Sequence, residues 1–246
     1  MKIIVHGASG RMGRNVIALI ENSPVHTLAA AISPSMKTCP EKKQYSRLED
    51  FHGMADMIID FSNHSAIPYL LAFAKIRCIP VVIGTTGCTE DETALISQAA
   101  AHIPIFFSGN MSVGIALLTD LAKQTAKAFP GANIEIVESH HNKKLDVPSG
   151  TALMLADAIK EVRPEATYNV GRHENGKRSD DEIGIHSIRL GNTIGIHEIL
   201  ISSGTQTITL KHEAHDRMLF AEGALAAAEF LAGQGYGLYD MQSMLQ

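Results

Sequence analysis

Lys2-Ile3-Ile4-Val5-His6 is a short apolar run, residues 7–13 (Gly-Ala-Ser-Gly-Arg-Met-Gly) are a turn of mostly small residues, and residues 11–22 form an amphipathic stretch of helical period. Strand, glycine turn and helix in that order leave few folds open. Small residues are needed where the backbone turns tightly and approaches a pyrophosphate, which then sits over the unsatisfied N–H groups of a helix start. A Gly-x-x-Gly-x-x-Gly spacing alone is compatible with plain turn chemistry, but the flanking strand and helix supply the context of a dinucleotide site. Gly7, Ala8, Ser9, Gly10, Arg11 and Met12 are therefore expected to contact a nucleotide.

The alternation continues down the chain. Residues 28–32, 57–61, 80–84 and 103–107 read as further strands, 64–76 and 91–101 as helices, and 33–43 as a loop. Continuous apolar runs suit strands buried on both faces, and strands alternating with helices imply βαβ units and a parallel sheet. Beyond Asn110 the rhythm changes to a helix at 113–129, a strand reaching residue 140, a helix at 151–162 and a glycine- and charge-rich segment at 171–182. Period-2 runs at 183–190, 194–202 and 206–212 then indicate a mixed or antiparallel sheet. The expected fold is α/β: a Rossmann-type parallel-sheet domain (1–109 and 217–246, with a helix at 217–232 returning to it) plus a smaller α+β domain with a mixed sheet (110–216). Ligands of an open α/β sheet bind outside the carboxyl ends of its strands. Gly84, Thr85 and Thr86, and Ser108, Gly109, Asn110 and Met111, sit at such ends and are expected to meet the cofactor.

Residues 135–151 read Glu-Ile-Val-Glu-Ser-His-His-Asn-Lys-Lys-Leu-Asp-Val-Pro-Ser-Gly-Thr. His140 and His141 leave an apolar strand, Lys144 follows within one short loop, and Ser149, Gly150 and Thr151 open a helix whose N–H groups favour an anion. This cluster suits a small anionic substrate that is held and protonated. Elsewhere, His6 and His64 are expected to be locally hydrogen-bonded, and His212-Glu213-Ala214-His215 lacks a third ligand nearby, so no metal is expected.

Composition narrows the partners. The 246 residues are 45% hydrophobic and 19% charged, which is ordinary for a globular chain, and the net charge of −5 provides no basic footprint for nucleic acid or acidic membrane. No apolar run approaches bilayer length, and the first strand leaves no room for a signal peptide, so a cytoplasmic location is expected. Three cysteines, Cys39, Cys78 and Cys88, are too few and too scattered for a disulfide framework.

The chain resembles the dihydrodipicolinate reductase family over nearly its whole length. The resemblance rests on residues 7–13, Asp60-Phe61-Ser62, Gly84-Thr85-Thr86-Gly87, Asn110-Met111-Ser112-Val113-Gly114, and above all residues 138–152, with support from residues 183–189 and 237–241. It implies NADPH- or NADH-dependent reduction of dihydrodipicolinate to tetrahydrodipicolinate, in diaminopimelate and lysine biosynthesis. By position it implies that His140 and Lys144 are proton donors, and that His141, Gly150 and Thr151, with Ser149 and Thr86, contact a small dicarboxylate. Hydride addition to a conjugated cyclic imine leaves negative charge on the ring, so a nearby cation and an acid fit the chemistry. Which of His140 and Lys144 delivers the proton stays open. The family also implies a homotetramer formed through the second domain. A small Rossmann reductase of another kind and a non-catalytic nucleotide sensor are the alternatives; a sensor has no use for the His-His-Lys cluster.

Three positions depart from the family. Ser33, about twenty residues past Gly13, stands where an acidic residue often meets the adenosine ribose. Ile196 replaces a common Glu, and Asn142 replaces a basic residue. With serine at 33 and Arg11 and Lys37 as the nearby cations, NADPH is expected to serve at least as well as NADH.

Overall fold

The computed structural model describes residues 1–245. It divides into two compact units: Met1–Ser112 together with the chain from Arg217 onward, and Val113–Asp216.

In the first unit β1 (Lys2–His6) leads into α1 (Arg11–Glu21), followed by β2 (Thr27–Ile32), a two-residue β3 (Gln44–Tyr45), β4 (Met57–Asp60), α2 (Ile67–Arg77), β5 (Val81–Ile83), α3 (Glu90–Ala99) and β6 (Pro104–Phe107). The apolar runs are the strand cores: Ile3, Ile4, Val5, Ile58, Ile59, Val82 and Phe106 are fully buried. Burial of consecutive residues means both faces are covered, and each such side chain contributes about 1.5–3 kcal/mol. α1 buries Gly13, Val16 and Ile20, one stripe at spacings of three and four. The helix read at 64–76 begins as a 3-10 turn whose first N–H groups are satisfied in part by Asn63, which accepts from the Ser65 N–H at 3.1 Å. Thr89 and Glu92 close a capping box that starts α3.

The second unit holds α4 (Val113–Ala128), β7 (Asn133–His140), α5 (Gly150–Val162), β8 (Thr167–Val170), β9 (Glu182–Arg189), β10 (Gly195–Ser202) and β11 (Thr207–Ala214). Its sheet runs β11-β10-β7-β9-β8 and is mixed, with β10 antiparallel to both neighbours and β7, β9 and β8 parallel to one another. One face is buried. Ile134, Ile136, Ile185, Ile199 and Ile201 point from the sheet into a core completed by Leu118, Ala122, Leu155 and Ile159 of the two helices.

The chain then returns to the first unit as α6 (Met218–Leu231) and β12 (Gly237–Tyr239). The seven-stranded sheet reads β12-β6-β5-β4-β1-β2-β3, every pair parallel. Its order reverses at β1, which places the glycine turn at the topological switch point. The boundary falls after Ser112, three residues beyond the 109 read from sequence, because Met111 is buried and its carbonyl lies against Gly223 of α6, where a Cβ would come within 1.7 Å of it. Among the described residues, no helix is long and apolar enough to cross a membrane.

Candidate active site

In the first unit the expected cofactor residues follow the carboxyl ends of β1, β2, β5 and β6, at one edge of a parallel sheet. Gly7 has φ +80°, and a Cβ there would lie 2.3 Å from the Phe61 carbonyl oxygen. At Gly13 a Cβ would lie 2.3 Å from the Gly7 carbonyl oxygen. Only glycine fits either place. α1 begins after Gly10 with no side-chain cap and no acid in its first turn, so no carboxylate of that turn opposes its positive end. These features fit a dinucleotide pyrophosphate.

The segment after β2 carries serines. Ser33 is buried, with its Oγ 2.6 Å from Ser9 Oγ and 3.2 Å from Ser35 Oγ, so residue 33 is tied to the glycine turn itself. Arg11 and Lys37 are exposed. After β5 the two threonines differ: Thr86 is exposed, whereas Thr85 is buried and donates to Asp60 Oδ2 at 2.7 Å. Asp60, fully buried, also meets His6 Nδ1 at 2.7 Å and the Ser62 N–H at 3.2 Å. Thr85's hydroxyl therefore ties strand ends together, and the side chains of Ala8 and Met111 are both buried. Ser108 donates to the Asn110 carbonyl at 2.8 Å while Asn110 Oδ1 accepts from the Ser112 N–H at 2.9 Å, which shapes the loop beyond exposed Gly109. His64 meets the Glu92 carboxylate at 3.0 Å, a local partner as expected.

In the second unit the two-residue period of β7 sets the direction of its side chains. Ile134 and Ile136 point into the core, so Glu138 and His140 must point the same way. Both are buried, Glu138 completely. Its Oε2 lies 2.5 Å from His140 Nδ1, and Arg189 donates to both oxygens at 2.9 and 2.8 Å. The Ser149 N–H adds a bond to Oε1 at 3.2 Å. Strand register explains the gathering: His197 of β10 pairs with Glu138, and Arg189 of β9 pairs with His140. His197, also buried, sits 3.3 Å by Nε2 from Ser149 Oγ and packs edge-on against the His140 ring with centroids 5.2 Å apart.

Ser149 caps α5, accepting from the Ala152 N–H at 3.2 Å. Gly150 and Thr151 form the first turn, Gly150 exposed and Thr151 half-buried. Lys144 pairs with Asp146 at 2.9 Å in the loop from half-buried His141 to the helix. The structure thus gathers His140, His141, Lys144, Ser149, Gly150 and Thr151 between one strand end and one helix start.

Burial alone would raise the Glu138 pKa, but the bonds from His140 and Arg189 outweigh it and hold the carboxylate far below its ordinary range. Arg189 is raised by the same pairing. Burial, then the positive field of His140, pushes His197 down to about 4, so it is neutral near pH 7. The hydrogen bond from Lys144 lowers Asp146.

Glu138 and His197 are the residues to which sequence assigns no role. The signal was present: Glu138 and His197 share the inward period of Ile136 and Ile199, and a carboxylate on a core face needs donors. Arg189, a strand-end arginine that sequence leaves between solvent, an interface and a substrate carboxylate, is instead committed to Glu138 and to the Asp146 carbonyl at 2.7 Å.

Known proteins match this arrangement along the whole chain. The model for the N-terminus of dihydrodipicolinate reductase matches residues 1–111, and that for the C-terminus matches residues 114–245. A 4-hydroxy-tetrahydrodipicolinate reductase of Caldanaerobacter subterraneus subsp. tengcongensis is 45% identical over 249 residues, covering 100% of this chain and 98% of the relative. One of Clostridium novyi is 36% identical over 247 residues, with 100% and 98% covered. Among solved structures, a dipicolinate-bound dihydrodipicolinate reductase from a Paenisporosarcina species superposes with a TM-score of 0.81 at 25% identity, covering 98% of this chain and 97% of that one. On these matches, spanning both units, the chain belongs to the dihydrodipicolinate reductase family.

Proposed function

We propose that this oxidoreductase reduces 4-hydroxy-tetrahydrodipicolinate (dihydrodipicolinate) to tetrahydrodipicolinate with NADPH or NADH, a step toward diaminopimelate and lysine. The carrying observation is the ring of His140, held by a buried carboxylate within the same hydrogen-bonded cluster as the start of α5. The nucleotide would be held by the backbone of residues 7–12 and the loops at 84–86 and 108–111, with Ser33 at the adenosine end. When bound, it supplies a hydride. The chain's own residues do the rest: Gly150, Thr151 and His141 bind one substrate carboxylate at the positive end of α5. The Lys144 cation stabilises the negative charge that hydride addition leaves on the ring, and an acid, His140 or Lys144, delivers the proton.

With serine at 33, no carboxylate at that position repels a 2′-phosphate, so NADPH should serve at least as well as NADH. We further propose a cytoplasmic homotetramer without nucleic-acid or membrane partners, assembled through the second unit, whose sheet has one face packed on helices and carries half-buried apolar residues such as Ile196 and Leu200 on the other. Mixing the protein with NADPH and freshly generated substrate should lower absorbance at about 340 nm. Failure to oxidise either cofactor would overturn the assignment, and a monomer mass by light scattering would overturn the assembly.

A further inference from the structure

Glu138 is fully buried, yet nothing in the chemistry above uses it. An ionised carboxylate only accepts hydrogen bonds, and this one has four donors around it: His140 Nδ1 at 2.5 Å, the two Arg189 nitrogens, and the Ser149 N–H. The contact with His140 therefore has one reading. Nδ1 carries a hydrogen, so the atom that gains and loses a proton is Nε2. Nε2 in turn lies beside Gly195, where a Cβ would approach to 3.2 Å. Glycine at that strand position leaves room on the working side of the ring.

We propose that Glu138 is a positioning residue for proton delivery: it fixes the Nδ1–H tautomer and ring orientation of His140 while tying that ring to the N-cap of α5. Arg189 holds the carboxylate ionised and in register, so its own role is exercised through Glu138. In the delivery step the proton leaves Nε2 for the ring carbanion, and the imidazole is left neutral with its hydrogen on Nδ1. This inference rests on the reductase reading for its consequence, but its geometric core does not.

The test is nitrogen NMR of the His140 imidazole in the full-length protein, free and with pyridine-2,6-dicarboxylate, beside turnover of Glu138→Gln. The neutral wild-type ring should show a protonated Nδ1 and a lone-pair Nε2. Glu138→Gln places an amide where the carboxylate was, so the hydrogen should move to Nε2 in part or entirely. Turnover should fall roughly 10- to 1,000-fold while affinity for the dicarboxylate changes less than about threefold. A wild-type ring protonated at Nε2 would overturn the proposal even if the variant does not fold, and so would a folded Glu138→Gln that keeps wild-type turnover. If wild-type protein shows the expected tautomer but oxidises no NADPH with substrate, the reductase reading fails and the positioning of His140 stands.

Discussion

Each unit buries one carboxylate completely and sets a histidine against it: Asp60 with His6 at 2.7 Å in the parallel sheet, Glu138 with His140 at 2.5 Å in the mixed one. The surroundings separate them. Asp60 is further bonded by a threonine hydroxyl and a backbone N–H, and joins the ends of three adjacent strands, β1, β4 and β5. Glu138 is clamped by a guanidinium and linked to a helix N-cap, with space kept by Gly195 beside the far nitrogen of its histidine. The two pairs thus differ in what holds the carboxylate: a cation in the second unit, neutral donors in the first.

The largest divergence between the two pairs is expected in turnover. His140→Ala and Lys144→Ala should each lower kcat by about two to four orders of magnitude with cofactor affinity little changed, whereas His6→Ala should keep kcat within about threefold at saturating cofactor. Steady-state kinetics decides, and equal losses at positions 6 and 140 in folded proteins would erase the distinction.

Stability should diverge next. Arg189→Ala strips a buried carboxylate of its cation and should cost roughly 2–4 kcal/mol in urea unfolding, while Thr85→Val removes one neutral donor from Asp60 and should cost roughly 1–3 kcal/mol. The reverse order would mean that the parallel-sheet carboxylate carries the heavier electrostatic load.

A pH dependence belongs to the second unit. His197 falls from an ordinary 6.5 to about 4 on folding, so below pH 6.5 the unfolded chain takes up the proton first. Stability present above that pH is lost as pH falls toward 4, by about 1–2 kcal/mol at about pH 5. Glu138 contributes little to the change between about pH 7.5 and about pH 5, because its stabilisation is lost as pH falls from its ordinary value of 4.5 downward. Urea unfolding at about pH 7.5 and pH 5 should show the loss in wild type and a smaller one in His197→Phe; matching slopes would remove His197 as the source.

The smallest effect concerns the helix start. Thr151→Val deletes a hydroxyl but leaves the backbone N–H groups, so pyridine-2,6-dicarboxylate should bind roughly two- to tenfold more weakly by calorimetry. Unchanged affinity would exclude the side chain from the site.

Residues 1–13 and 135–151 show how much could be read from sequence. Both carry period and turn chemistry together, and the glycine turn between β1 and α1 and the loop between β7 and α5 stand where that reading puts them. β3, β8 and β12 escaped it. All three are edge strands of two to four residues, and an edge is paired by whichever backbone lies beside it, so little apolar alternation is required.

By itself, then, the sequence determined the succession of elements, the glycines that the first turn demands and the residue types at the site, because these depend on local backbone sterics and side-chain period. Only the tertiary structure decided the polar pairings: that Thr85 turns to Asp60, that Ser33 binds Ser9, and that Arg189 clamps Glu138. Those contacts join residues 24 to 51 positions apart, and which donor meets which acceptor depends on strand order and register, which side-chain period leaves open.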